Sequence, residues 1–97
     1  MSIVGETGAY AKSIGYLMIV TFKFENSMYD LQVPSDIPTG DLLVWVLEYV
    51  NQLAFKRLQP NHVALLLNRR NVIIRPELTF DEAGVWNGDY ITIICMG

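Results

Sequence analysis

Six side chains could carry chemistry and need accounting for first: the only histidine, His62, the only cysteine, Cys95, the acidic Asp81, Glu82 and Asp89, and Arg69 of the pair Arg69-Arg70. A general base needs a positioned partner within hydrogen-bond reach. His62 follows Pro60-Asn61 at the start of an apolar run, with no serine or cysteine motif beside it, and reads as a partly exposed residue at a strand entry. Cys95 shares the parity of Ile91 and Ile93, which makes it a small core residue, and buried structural thiols are inert. Asp81-Glu82 fall in the first turn of a short helix, where negative charge meets the positive end of the helix dipole, so capping accounts for them better than acid–base catalysis. Asp89 follows Gly88 in a turn, a common structural use of aspartate. Arg69-Arg70 at a hairpin tip could dock an acidic partner or anionic lipid, but two charges make a thin patch and a solvated turn is the simpler reading. No glycine-rich phosphate loop, zinc spacing or nucleophile elbow is present. The residues assign no catalytic role, no metal and no cofactor, and a non-enzymatic protein is expected.

The elements that position these residues follow from periodicity. Residues 1–15 are small and polar, with three glycines and no sustained period, and are expected to form a flexible extension ahead of one domain, residues 16–97. Met18, Val20, Phe22 and Phe24 alternate with Ile19, Thr21 and Lys23, a strand with one strongly apolar face. Glu25-Asn26-Ser27 is turn-like, and Tyr29, Leu31 and Val33 then alternate with Asp30 and Gln32, completing a hairpin. Ser35 or Asp36 is an expected helix N-cap, with Pro38 in the first turn. The helix runs to about Leu53 and puts Leu43, Val46, Leu47, Val50, Leu53 and Ala54 on one face, opposite Asp41, Glu48 and Gln52. Residues 63–67 and 72–74 are two further strands, residues 79–83 a single helical turn, and residues 90–95 a final strand with Thr92 and Ile94 facing outward. Trp86, in the last turn, is expected to cover the edge of the core. The order is hairpin, helix, strand, short strand, helical turn, strand. That is an α+β, ubiquitin-like β-grasp: a mixed sheet of four to five strands with one main helix packed across one face.

Bulk properties agree. Ninety-seven residues make one domain, and 52% hydrophobic content is enough for a core. A net charge of -3 disfavours a phosphate-neutralising surface and hence nucleic acid. A single cysteine precludes an internal disulfide. The longest apolar run, residues 42–47, is far short of the roughly 20 residues that span a bilayer, so direct membrane insertion is not expected.

Val20-Thr21-Phe22-Lys23-Phe24, Tyr29-Asp30-Leu31-Gln32-Val33-Pro34, Leu78 through Val85 and Asn87-Gly88-Asp89 resemble the YukD/EsaB family over about residues 16–94. These are small ubiquitin-like proteins that accompany the type VII (WXG-type) secretion machinery of Gram-positive bacteria. The resemblance implies a ubiquitin fold without conjugation and an accessory or regulatory role in secreting small helical WXG proteins. It supplies no catalytic residue. The single cysteine and the want of a signal-peptide pattern suit a cytoplasmic protein, and the resemblance implies that it is held at the membrane, if at all, through secretion-machinery partners. The residue 1–15 extension and Trp45 on the helix depart from the family pattern. A modifier or sulfur carrier, the main alternative, needs a flexible Gly-Gly end, whereas this chain ends Cys95-Met96-Gly97. A generic β-grasp signalling domain is a further alternative.

What remains is apolar residues on faces that should be wet. Leu17 and Ile19 of the first strand and Ile94 of the last are expected on the uncovered sheet face, where alternation should otherwise bring polar residues, and Leu66 of the third extends the patch if it also points outward. Contiguous exposed patches mark interaction sites, so these four are candidate protein-binding residues, and Ile19→Asp is expected to reduce partner binding without unfolding the domain. Cover by the extension, or a homodimer contact, would explain the same patch. Trp45 with Tyr49 on the helix is a second candidate, against packing of the two rings on each other or on the extension.

Overall fold

The computed structural model describes residues 17–96; the expected extension lies outside the described residues. Strands β1 (Leu17–Phe24) and β2 (Ser27–Pro34) form the hairpin, and α1 (Thr39–Ala54) follows. A 3-10 turn (Pro60–His62) leads into β3 (Val63–Leu67), then β4 (Val72–Ile73), the four-residue α2 (Phe80–Ala83) and β5 (Tyr90–Cys95). The sheet order is β2-β1-β5-β3-β4, with β1 and β5 parallel and every other pair antiparallel. This is the expected β-grasp, with five strands.

The core is the inner face of the sheet against one stripe of α1. Val20, Phe22 and Phe24 of β1, Leu65 and Leu67 of β3, and Ile91 and Ile93 of β5 meet Leu42, Leu43, Val46, Leu47 and Val50. Two expectations for this layer need correcting. Leu42 is buried and Leu53 is half exposed, because a residue at the right angle of the last helical turn still needs a layer beneath it. Cys95 keeps the inward parity of Ile93 but is exposed, since it ends β5 at the margin of that layer.

The start of α1 also differs from expectation. Pro38, in extended conformation, is the N-cap, and no side chain caps the helix. A helix leaves its first N–H groups without intrahelical acceptors. Here the N–H of Thr39 donates to the Leu78 carbonyl (2.8 Å) and that of Gly40 to the Pro76 carbonyl (2.9 Å). Gly40 suits this approach, because a Cβ would lie 3.2 Å from the Pro76 Cβ and 3.3 Å from its carbonyl oxygen, and Pro76 would have to give by a few tenths of an ångström. Ser35, freed from capping α1, instead donates from Oγ to Asp81 Oδ2 (3.0 Å) and accepts at its carbonyl from the Asp81 N–H (3.1 Å). The segment entering α1 is thus stitched to α2. That short helix carries a full capping box: the Glu82 N–H donates to Thr79 Oγ1 and the Thr79 N–H to Glu82 Oε1, both at 3.0 Å.

Candidate protein-docking surface

Among the described residues no helix lies over the outer face of the sheet, and the strand register decides which of its apolar residues can act together. Ile73 of β4 lies directly opposite Leu66 of β3. Leu66 pairs with Thr92 of β5, and Ala64 with Ile94, so Ile94 is the diagonal neighbour of Leu66. Diagonal neighbours on one face are about 7–8 Å apart, within reach of long side chains. Leu66, Ile94 and Ile73 therefore form one patch, in which Leu66 and Ile94 are partly exposed and Ile73 is 51% exposed.

Leu17 and Ile19 do not join it. In the parallel pair, Thr21 lies beside Tyr90 and Lys23 beside Thr92. Ile94 is then level with the turn after Phe24, six residues beyond Ile19, or about 20 Å at the usual strand rise. Between them run Thr21, whose Oγ1 donates to Asp30 Oδ1 (2.6 Å), and Lys23, whose ammonium lies 5.9 Å from the centre of the Tyr90 ring. The expected single patch is two, split by a polar band. Parity puts Leu17, Ile19 and Ile94 on one face; the parallel register, which separates them along it, cannot be read from alternation.

Trp45 and Tyr49 are on the other side of the molecule. Both are half-buried at the margin of the core, and Tyr49 meets Tyr29 of β2 edge-on, with centroids 6.3 Å apart. The Tyr29–Tyr49 pair bridges α1 and β2.

The corner beside Ile19 is built from charged groups whose role the local sequence did not disclose. Arg69, expected in a solvated turn, is instead pinned. Its Nε donates to Asp89 Oδ1 (2.9 Å), and its Nη2 to Asp89 Oδ2 (3.0 Å) and the Gly84 carbonyl (2.6 Å). Gly84 can offer that carbonyl because it ends α2 in the left-handed region, at φ 77°. The guanidinium also lies 3.7 Å from the centre of the Trp86 ring. Trp86 does not cover the core edge as expected: it is 63% exposed, stacked on Arg69. Asp89 is structural, as its turn position implies, and buried; its Oδ2 also accepts from the Trp86 N–H (2.7 Å). The turn held this way continues the sheet past the start of β5. Asn87 Oδ1 accepts from the Ile19 N–H (2.7 Å), the Gly88 N–H donates to the Ile19 carbonyl (2.6 Å), and the Thr21 N–H donates to the Asp89 carbonyl (2.9 Å). Twenty residues separate Arg69 from Asp89, which is why no local motif shows the pair.

Burial pushes the Asp89 carboxyl up, but the hydrogen bond and charge of Arg69 and the Trp86 N–H outweigh it, leaving the group below its ordinary value of 3.8. A carboxylate depressed in the folded state stabilises fully above its unfolded value and loses that contribution as pH falls through the folded one. We expect acid destabilisation below about pH 4 to be shallower in Asp89→Asn than in wild type, read from urea midpoints across the acid range; equal slopes would contradict the assignment.

Of the remaining candidates, His62 is exposed in the 3-10 turn, as expected for a strand entry, and its carbonyl accepts from the Met96 N–H (2.7 Å). Among the described residues, no three histidine, cysteine, aspartate or glutamate side chains gather as a metal site would require. No helix among them is long and apolar enough to cross a membrane.

The fold and its uncovered sheet face define a ubiquitin-like domain, and solved structures agree. The ubiquitin-like domain of the EccD1 protein of the Mycobacterium tuberculosis type VII secretion system superposes with a TM-score of 0.67 at 16% identity, covering 81% of this chain and 98% of that one. The EccD5 ubiquitin-like domain from Mycobacterium xenopi gives 0.70 at 18% identity, covering 84% and 96%. Caldiarchaeum subterraneum ubiquitin gives 0.64 at 18%, again covering 84% and 96%. At these identities the likeness shows the fold alone. The family is shown by sequence: the family model described as "WXG100 protein secretion system (Wss), protein YukD" matches residues 17–93. The chain belongs to the YukD family, and is a ubiquitin-like module of a WXG100 secretion system. No curated protein sequence matches it.

Proposed function

We propose that this protein is a non-catalytic adaptor of its secretion system that docks noncovalently on protein components of the machinery through the outer face of its sheet. The observation that carries the reading is the Leu66–Ile73–Ile94 patch, an apolar cluster on the face of the sheet opposite α1. A sheet with one covered face should present polar residues there, and an apolar patch so placed is the mark of a partner site. Four of the six side chains that could do chemistry are otherwise engaged: Asp89 holds Arg69, Asp81 binds Ser35 and Glu82 caps α2. The secretion machinery is the natural setting for the partner, because the family is defined by it. A cytoplasmic position, at the membrane only through such a partner, follows from the same reading.

The expectation attached to Ile19 now passes to Leu66. Leu66→Asp, purified and shown to be folded by circular dichroism, is expected to reduce capture of partners from host extract about tenfold or more, since a central apolar anchor typically carries 2 kcal/mol or more of binding. Ile19→Asp, on the far side of the polar band, is expected to reduce it less. Undiminished capture by a folded Leu66→Asp protein would end the sheet-face reading.

A further inference from the structure

The loop that leaves α1 lies outside the docking face, and its backbone and side chains are at odds. Phe55, the C-cap of that helix, is 92% exposed and sits in the left-handed region at φ 55° and ψ 44°. Glycine or asparagine is the usual occupant of this position, because a β-carbon is crowded there and no burial compensates a phenylalanine standing in water. The loop nonetheless holds it out. The side chain of Asn51 grips Leu58 from both sides, Nδ2 donating to the Leu58 carbonyl (3.0 Å) and Oδ1 accepting from its N–H (2.8 Å). Phe55, Lys56 and Arg57 stand between these anchors, all three exposed.

Further apolar and basic groups share this end of the molecule. Lys56 comes within 3.7 Å of Glu25, which places the loop beside the β1–β2 turn, but both side chains are half exposed and the pair binds weakly. Arg57 has no carboxylate partner among the described residues. At the foot of the same turn Lys23 stands opposite Met28, which is 63% exposed, and Leu53 in the last turn of α1 is 52% exposed. Carboxylates gather at the other end of α1. Asp36 and Asp41 flank the helix start. The bonds from Ser35, Thr39 and Gly40 to residues 76–81 bring Glu77, Asp81 and Glu82 beside it, with Arg75 paired to Glu77. A helix of 16 residues, about 24 Å long, separates the two ends. The chain is acidic as a whole, yet its charge is divided, basic where Phe55 stands and acidic at the far end.

We propose that this tip touches an anionic lipid bilayer, with the Phe55 ring entering the headgroup layer and Lys56 and Arg57 facing lipid phosphates. Segments that lie on membranes combine the same parts, an aromatic or leucine side chain that buries itself and Lys or Arg that meets the surface charge. A field with its positive end at the tip turns that end toward an anionic surface and the carboxylates away from it. Lys23, Lys56 and Arg57 are fewer than the roughly four to eight cations of a self-sufficient polybasic segment. The contact therefore orients a domain that a protein partner has already brought to the membrane. It leaves the Leu66 patch free, so it stands or falls separately from the adaptor reading.

Co-sedimentation with lipid vesicles tests it. The full chain is expected to partition onto phosphatidylglycerol vesicles at millimolar lipid and low salt, to leave them at high salt, and to ignore phosphatidylcholine vesicles. Phe55→Ala should lower the partition coefficient about tenfold, the loss expected when one buried aromatic side chain is withdrawn. Lys56→Glu/Arg57→Glu should lower it by about as much or more. Phe55→Gly should remain folded with equal or higher stability, since glycine suits the left-handed backbone, and still lose the vesicles. Leu66→Asp should keep them. A wild type that ignores phosphatidylglycerol, equal uptake by phosphatidylcholine, or undiminished uptake of Phe55→Ala would overturn the proposal. Loss of uptake in folded Leu66→Asp protein would do the same, by putting the lipid on the sheet face. So would Phe55-dependent capture of an acidic protein by a chain that binds no vesicles, which would give the tip to a protein.

Discussion

Asp89→Ala is expected to lower the unfolding free energy by about 3 kcal/mol, near the lower end of the range for removing one partner of a buried ion pair. The Asp89 side chain is 8% exposed and accepts from Arg69 Nε and Nη2 and from the Trp86 N–H. Its loss leaves that N–H without its acceptor and the guanidinium without its counter-charge. Arg69 is 29% exposed and can recover water, which keeps the effect from the upper end. The consequence spreads along the chain, because the same turn supplies the bonding partners of Ile19 on the side of β1 away from β2. Amide exchange at Ile19 and Thr21 should therefore rise with the loss of stability. With an m-value of about 1.5 kcal/mol/M, the urea midpoint falls by about 2 M; a shift within about 0.3 M would refute the role given to the pair. Asp89→Asn, which keeps an acceptor but not the charge, should fall between the two.

Phe80→Ala is expected to cost more, about 3–5 kcal/mol, the range for emptying a buried aromatic site. The helix it sits on has four residues, whereas isolated helices shorter than about 12–15 residues are marginal in water. Its capping box contributes on the order of 1 kcal/mol, so burial of the Phe80 ring must hold the element in place. Through α2 the effect reaches α1, since Ser35 and the first-turn N–H groups of α1 are bonded to residues 76–81. Thr79→Ala, which removes the cap and keeps the ring, should cost only about 1 kcal/mol. Comparable losses in the two variants, measured by denaturant melts, would mean that the cap and not the ring holds α2. Against a total stability of about 5–15 kcal/mol for a domain, Phe80→Ala is the substitution most apt to leave part of the protein unfolded.

These effects mark where sequence reading reaches and where it stops. Period-2 and period-3.6 patterns are local, and they placed β1, β2, α1, β3 and β5 to within a residue or two. The inward residues of β1, β2 and β5 follow from the same parity, as does the outward direction of Ile19 and Ile94; residues 63–67 are apolar throughout, so which way Leu66 faces shows only in the structure. What parity does not contain is how far along the sheet two strands slide, so the separation of Ile19 from Ile94 appeared only with the β1–β5 register. Contacts between distant residues were equally invisible: Ser35 looked like a cap for its own helix but bonds Asp81, 46 positions on. Arg69 looked solvated because its partner is on another loop. Phe55 could have been noticed, since an aromatic residue past the last core position of a helix, where glycine or asparagine is the common stop, contradicts the usual C-terminal signal. Its near-complete exposure needed the structure.

The central claim is that this ubiquitin-like domain works by reversible docking on secretion-system proteins and not by covalent attachment. It is tested most directly by expressing a tagged protein in its native host, solubilising the membrane fraction in mild detergent and capturing the tag. Half the eluate is then kept native and half is boiled in denaturant with reductant. The account predicts components of the secretion machinery in the native half, their absence from the tagged band after boiling, and their loss in folded Leu66→Asp protein. A tagged band that stays heavier by the mass of another protein after boiling would contradict it.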